Sequence, residues 1–264
     1  MWLFKKPRPD TGEAWAEKIS AEVGELMDLP CARIELATYE GGFGTVSLSF
    51  ADAEKGLELV HGNERLPIIV TDYEKEKKYH QSDHTHDRIM ETLKGTSVPV
   101  DWSHPTIEKS ATDVFAGYLT LDALIGNTDR HHENWGILLG RVEASASGRL
   151  LTLSPTYDHA SSLDRELRDE KRVDMLQKGN LPNYVERPRS PIYWDSNDKH
   201  AFPQSISCEG PPGGNPKRFS LGWKTPSGCL TPPSRGFLEE CRRDGFPKSL
   251  LIKPWIFFVL HGRN

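Results

Sequence analysis

Two spacings of apolar residues alternate along the first three quarters of the chain. Residues 2–5 are a short apolar run ending in Lys5, which reads as a strand that Pro7 and Pro9 terminate. Thr11-Gly12-Glu13 then opens a helical pattern, with Trp15, Ile19, Val23, Leu26 and Met27 recurring at three- and four-residue steps until Leu29-Pro30. Residues 32–38 and 45–50 alternate as strands do, with Glu40 to Gly44 as their turn. Residues 57–61 and 67–70 read as further short strands, and 73–95 as a polar stretch that takes helical phase at Ile89, Met90 and Leu93. The clearest helix covers 111–126. Its apolar positions (Val114, Phe115, Tyr118, Leu119, Leu121, Leu124, Ile125) occupy most of the surface, so it is expected to be buried, and Gly126 ends it. After a polar loop, 135–139 and 150–153 read as a hairpin across a Gly/Ser-rich connection.

Composition divides this text in two. The final 66 residues, 199–264, hold nine of the 19 prolines, eight of the 22 glycines and three of the four cysteines (Cys208, Cys229, Cys241). That Pro and Gly content approaches the level at which low complexity becomes the prior. Residues 1–198 read as an ordinary folded unit. A net charge of −5 supplies no general basic field, so direct nucleic-acid binding is not expected. The most apolar run, Leu250 to Leu260, is broken by Lys253 and Pro254 and is far short of the ~20 residues a spanning helix needs. With no leader-like stretch after Met1, the expectation is a cytoplasmic protein with reduced thiols and no membrane partner.

The candidate chemistry lies in Gly126-Asn127-Thr128-Asp129-Arg130-His131-His132-Glu133-Asn134, a polar loop between a buried helix and a buried strand. Tyr157-Asp158-His159 follows the next strand, and a hairpin brings its two strand ends together, so Asp129, Asn134 and Asp158 should converge at one sheet edge. Magnesium takes hard oxygen ligands, one or two of them carboxylates, plus substrate phosphates. In protein kinases a separate Asp, placed on the attacking hydroxyl, stands five residues before a metal-binding Asn, with a later Asp as the second metal contact. Asp129, Asn134 and Asp158 have that order. Lys5, followed by Glu17 on the next helix, stands where a kinase places its phosphate-binding lysine and the glutamate that braces it. Glu13, one turn earlier, is the alternative partner.

These residues resemble the HipA-like kinases, a branch of the protein-kinase-like fold. Leu124 to Asn134 matches that family's Asp-x-His-x-x-Asn catalytic loop, and Pro155-Thr156-Tyr157-Asp158 its Pro-x-Tyr-Asp metal motif. Trp2-Leu3-Phe4-Lys5 and Trp15-Ala16-Glu17-Lys18-Ile19 look like its lysine strand and following helix, and Leu59 to Glu64 falls near its hinge. The resemblance implies an α+β, bilobal protein-kinase-like fold with a reduced N-lobe (1–75) and a mainly helical C-lobe (76–198). It implies transfer of the ATP γ-phosphate to a Ser or Thr hydroxyl of a protein substrate. Asp129 would be the base, His131 would orient the loop, Asn134 and Asp158 would bind Mg²⁺, and Lys5 with Glu17 would cradle ATP. It also implies an antitoxin-type, DNA-binding partner. Asp129-Arg130-His131 followed by Asn134 looks like the phosphoinositide kinases too, which keeps a lipid acceptor open.

Two departures shape the alternatives. Only four residues precede Lys5, with no hairpin to carry a Gly-rich loop, and Gly42-Phe43-Gly44 reads as a turn between strands and not a substitute. Met1 is therefore expected to be a truncated or misassigned start. The helical phase stops near Lys199, which suggests a frameshift near 199–203, with a natural disordered tail as the other reading. A nucleotide-binding pseudokinase and an inactive gene remnant accompany the active kinase as readings. His84-Thr85-His86-Asp87 resembles half of a binuclear hydrolase motif, but it is expected at a polar, exposed helix start. His132 is expected to be solvated, Cys31 to be a core residue, and Arg165 to Arg172 to be an activation segment or a solvated face.

Overall fold

The computed structural model describes residues 1–52, 56–100, 102, 109–141, 149–165, 173–175, 177–178 and 189–198. The expected tail, 199–264, and most of the Arg165–Arg172 run lie outside the described residues.

Strand β1 (Trp2–Lys5) leads into helix α1 (Glu13–Leu26), then to the hairpin of β2 (Ile34–Tyr39) and β3 (Gly42–Leu48). These strands form an antiparallel sheet in the order β1-β3-β2, with Lys5 opposite Thr45. The turn is tighter than the sequence pattern suggests. Glu40 and Gly41 adopt positive φ, so Gly42 to Gly44 join β3 and leave the turn. At Gly44 a Cβ would lie 2.3 Å from the Lys5 carbonyl oxygen, so glycine lets β3 approach the lysine strand closely.

Strand β4 (Glu58–His61) opens a second sheet and runs into a one-turn helix, α2 (Gly62–Arg65). The expected strand at 67–70 is instead a 3-10 turn over Leu66–Ile68, because Pro67 sits in its first turn and has no N–H to give a ladder. Helix α3 (His86–Thr92) is capped by the Thr85 side chain. Helix α4 (Ala111–Ile125) starts in a Ser110/Asp113 capping box and ends at Gly126, with φ 64°. The expected hairpin forms as β5 (Gly136–Arg141) and β6 (Arg149–Leu153), with Ile137 opposite Leu153. β4 pairs with β5, so this sheet joins residues from both expected lobes in the order β4-β5-β6.

The main core lies around α4. Val114, Phe115, Tyr118, Leu121 and Ile125 meet Leu66, Ile89, Leu93, Trp135, Ile137 and Leu153, while Trp15, Ile19 and Val23 of α1 and Cys31 pack against it. Among the described residues, no helix is long and apolar enough to cross a membrane.

Two expectations about histidines are overturned. His84 and His132 are buried, not solvated. His84 stacks on Trp135 with ring centroids 6.3 Å apart and accepts a hydrogen bond from the indole Nε1 at 3.0 Å, while its Nδ1 meets the Pro191 carbonyl at 3.1 Å. His132 meets the Tyr73 hydroxyl at 2.7 Å. Both ring nitrogens of His84 are thus satisfied by an aromatic and a backbone group, whereas at His132 only Nδ1 is, and a count of polar residues along the chain reveals neither. Burial pushes the pKa of His84 down to about 3 and that of His132 to about 4. His84 is thereby committed to packing.

Candidate active site

The loop after α4 is shaped by one buried ion pair. Arg130 is fully buried and grips Asp122 of α4 with two bonds, Nε to Oδ2 at 2.8 Å and Nη2 to Oδ1 at 2.7 Å. Its Nη1 donates to the Asn134 carbonyl at 2.7 Å and reaches the Tyr157 carbonyl at 3.5 Å. Burial works against the Arg130 charge, but Asp122 outweighs it and raises the pKa. One guanidinium thus ties the helix to both loops that carry the predicted site. Asn127 adds a bond from Nδ2 to Asp122 at 2.9 Å and accepts from the Asp129 N–H at 3.1 Å.

On this frame Asp129 and Asn134 are directly linked, since the Asn134 Nδ2 donates to the Asp129 carbonyl oxygen at 2.7 Å. That bond uses the amide nitrogen and leaves the amide oxygen as the hard donor. The Asp129 carboxylate accepts from the Tyr79 hydroxyl at 2.7 Å and from Ser161 at 3.1 Å. His131 lies beside it, with Nε2 3.8 Å from Oδ1, and its Nδ1 accepts from the Glu133 N–H at 3.2 Å. Burial lowers the His131 pKa, with Asp129 opposing.

Asp158 is brought to this loop from β6. The strand end is held by Ala32 and Thr156, whose N–H to carbonyl bond is 2.9 Å, and by a second bond from the Thr156 N–H to Pro30 at 2.9 Å. Asp158 itself has φ 56°. An aspartate tolerates this left-handed conformation, at a cost of about 1–3 kcal/mol that tends to be spent at functional positions. Asn134 and Asp158 both line an open cleft of about 560 Å³, shared with His61, Asn63 and Glu64 at the β4–α2 junction.

Lys5 reaches Asp158 from β1, with Nζ 2.5 Å from Asp158 Oδ1. Partial burial disfavours its charge, but Asp158 first, and then Glu17 and Glu13, raise its pKa. Glu17 is buried in α1, and its Oε1 accepts the His159 N–H at 2.9 Å. Its Oε2 has no hydrogen-bond partner. Burial first, then the Asp158 charge, push the Glu17 pKa up to about 7. The structure therefore places Lys5 on Asp158, with Glu17 behind them on the His159 backbone. Glu13, the alternative partner, is taken by Arg8 at 2.6 Å and by Arg165.

The donor set fits a magnesium nucleotide. An amide oxygen and a carboxylate line one open cleft, a lysine sits on that carboxylate, and a buried glutamate oxygen beside it is unsatisfied. Sequence reasoning missed Asp122 and Tyr79. Asp122 carried a usable signal, as an acidic residue in register with the apolar face of α4 eight positions before an arginine. Tyr79 carried none, because its contact with Asp129 spans 50 residues.

No family model matches the chain, and no curated protein matches it by sequence. Solved structures do. A proinflammatory kinase of Helicobacter pylori, CtkA, superposes with a TM-score of 0.58 at 20% identity, over 76% of this chain and 64% of that one. HipA of Shewanella oneidensis, solved with HipB and operator DNA, gives 0.45 at 13% identity, over 75% of this chain and 42% of that one. The chain thus spans under two thirds of the length of either. The first likeness shows that the chain shares the fold of that kinase.

Proposed function

We propose that the chain is an ATP-dependent kinase that transfers the γ-phosphate to a Ser or Thr hydroxyl of a protein. The observation that carries this reading is two bonded pairs, Asn134 on the Asp129 backbone and Lys5 on Asp158, with Asn134 and Asp158 lining one cleft. Asp129 would orient the acceptor hydroxyl and take its proton as the new bond forms. Asn134 and Asp158 would hold Mg²⁺. Lys5, the cation nearest Asp158, would exchange that carboxylate for phosphate oxygens, and Glu17 would keep its charge in place. Bound Mg²⁺-ATP would supply the phosphoryl group and neutralise the charge that develops on transfer. An antitoxin-type, DNA-binding protein is the partner that the sequence resemblance adds to this reading.

The test is Asp129→Asn. Phosphotransfer from radiolabelled ATP should fall by about 10²–10⁴, the usual worth of a positioned base. Nucleotide binding, read as a thermal shift, should persist, since a ligand at a hundredfold excess over its Kd adds about 2.7 kcal/mol to stability. Unchanged turnover removes Asp129 from the base role. A missing thermal shift in the unmodified chain removes the kinase reading.

A further inference from the structure

The Asp129 carboxylate is held on both of its oxygens, and the two holds differ. Oδ1 accepts from the hydroxyl of Tyr79, a residue 52% exposed. Oδ2 accepts from the Ser161 hydroxyl at 3.1 Å. Ser161 Oγ in turn accepts from Arg165 Nη2 at 3.0 Å. Arg165 is buried, and its Nη1 pairs with Glu13 in the first turn of α1. Its carbonyl also accepts the Gly12 N–H at 2.9 Å, so side chain and backbone both bind it to the start of that helix.

The direction of this row of bonds is set by its ends. A guanidinium only donates and an ionised carboxylate only accepts. The hydroxyl between them has one proton, so Arg165 occupies a lone pair of Ser161 and the Ser161 proton lies on Asp129. In such a row each bond polarises the next. The backbone is bent to deliver it. Leu163 and Asp164 have φ of 54° and 57°, a region where the Cβ of a leucine is crowded. The Leu163 N–H, bonded to the Ile125 carbonyl at 2.9 Å, pins this bend to the end of α4. Strain of this kind gathers at functional sites. We propose that Ser161 is a positioning residue for the base, and that Arg165 ties it to α1; this rests on the kinase reading above. Oδ2 is committed to the frame. Oδ1, held by a half-exposed side chain, is the oxygen that exchanges for an acceptor hydroxyl. Since α1 also carries Glu17, one helix bears on the Lys5 side of the site and on the orientation of the base.

The test measures transfer from Mg²⁺-ATP to casein by the full chain, with ATP varied. In Ser161→Ala, kcat should fall by about 10–100-fold, the worth of one hydrogen bond to a charged group. KM for ATP and the thermal shift with ATP should not move, because the nucleotide does not use this hydroxyl. Ser161→Thr, which restores a hydroxyl, should recover most of the rate. Arg165→Lys keeps the charge but loses the fork that spans Glu13 and Ser161, and should also lower kcat. The double variant Ser161→Ala/Arg165→Lys should be no slower than the slower single variant, because both act through one hydroxyl. Should Ser161→Ala fail to fold in a urea titration, Ser161→Cys keeps the volume with a weaker donor and takes its place. An unchanged kcat overturns the proposal and leaves the kinase reading intact. So does a fall in kcat matched by an equal loss of ATP binding, or a failure of threonine to rescue. Losses that multiply in the double variant overturn the link through Arg165. A parent chain that transfers phosphate neither to casein nor to water brings down the kinase reading, and this proposal with it.

Discussion

Two cation–carboxylate pairs support the candidate site, and they are built in opposite ways. Arg130 and Asp122 are both shut off from solvent, joined by two bonds, and the guanidinium spends its remaining donors on backbone carbonyls. Lys5 and Asp158 share one bond, with 52% and 38% of their side chains exposed. A buried pair must be fully satisfied, because removing one member strands the other charge away from water. An exposed pair is worth little, since water can replace either partner. The first pair therefore serves as architecture and the second as exchangeable chemistry. The fold fixes the Asp129–Asn134 loop from behind and leaves the cleft in front of Asn134 and Asp158 open.

The largest effect should come from breaking the architectural pair. Asp122→Ala leaves Arg130 buried without its partner and deprives Asn127 of its bond, and should lower unfolding stability by about 3–5 kcal/mol in urea denaturation. A loss below about 1 kcal/mol would mean that water reaches Arg130 and that the contrast between the pairs does not hold. Replacing both members by apolar residues of similar bulk, Asp122→Leu with Arg130→Met, should cost less than Asp122→Ala alone, because no charge is left stranded.

The buried histidines offer a second, smaller probe of the same framework. The folded pKa of His84 lies near 3, below the ordinary value of 6.5. Its contribution is thus fully present above about pH 6.5 and is lost as pH falls toward 3, because only the unfolded chain takes up the proton in that window. At pH 5 the loss is roughly 2 kcal/mol for this one group. Urea midpoints at pH 7.5 and pH 5 should separate accordingly, and His84→Gln should narrow the gap. An equal gap in the variant would place the acid sensitivity elsewhere, with His132 the next group to test.

Local chemistry made much of this legible in the sequence. The apolar spacing of Trp15, Ile19 and Val23 marked α1, and Gly126 marked the end of α4, because both depend on neighbours within a few turns. That Asn134 and Asp158 reach one cleft follows from a hairpin, the simplest long-range rule available. What was not legible depends on partners far along the chain. His84 reads as exposed until Trp135 and Pro191 are placed beside it. Lys5 was expected to bond Glu17, yet its nearest carboxylate is Asp158, 153 residues away. Pro67 offered a local sign against the expected strand at 67–70, and its missing N–H outweighed the apolar run of Ile68, Ile69 and Val70.

The smallest effect on stability should come from the exchangeable pair, and this is where the comparison is sharpest. Lys5→Met removes one bond from two side chains that water already reaches, so the urea midpoint should move by less than about 0.5 kcal/mol. The chain would then keep its fold, its Arg130 frame and its Asp129–Asn134 bond. Nucleotide affinity should respond differently. Lys5 is the cation bonded to Asp158, while Glu17 beside it has an unsatisfied, buried oxygen. Without Lys5, phosphate oxygens would meet Asp158 and Glu17 with no positive charge between them. A thermal shift with ATP that is lost in Lys5→Met, at unchanged stability of the free protein, would show that this pair is held for a ligand. A stability loss as large as that of Asp122→Ala would make Lys5 a second structural strut, because a solvent-reached ion pair has no desolvated charge to strand.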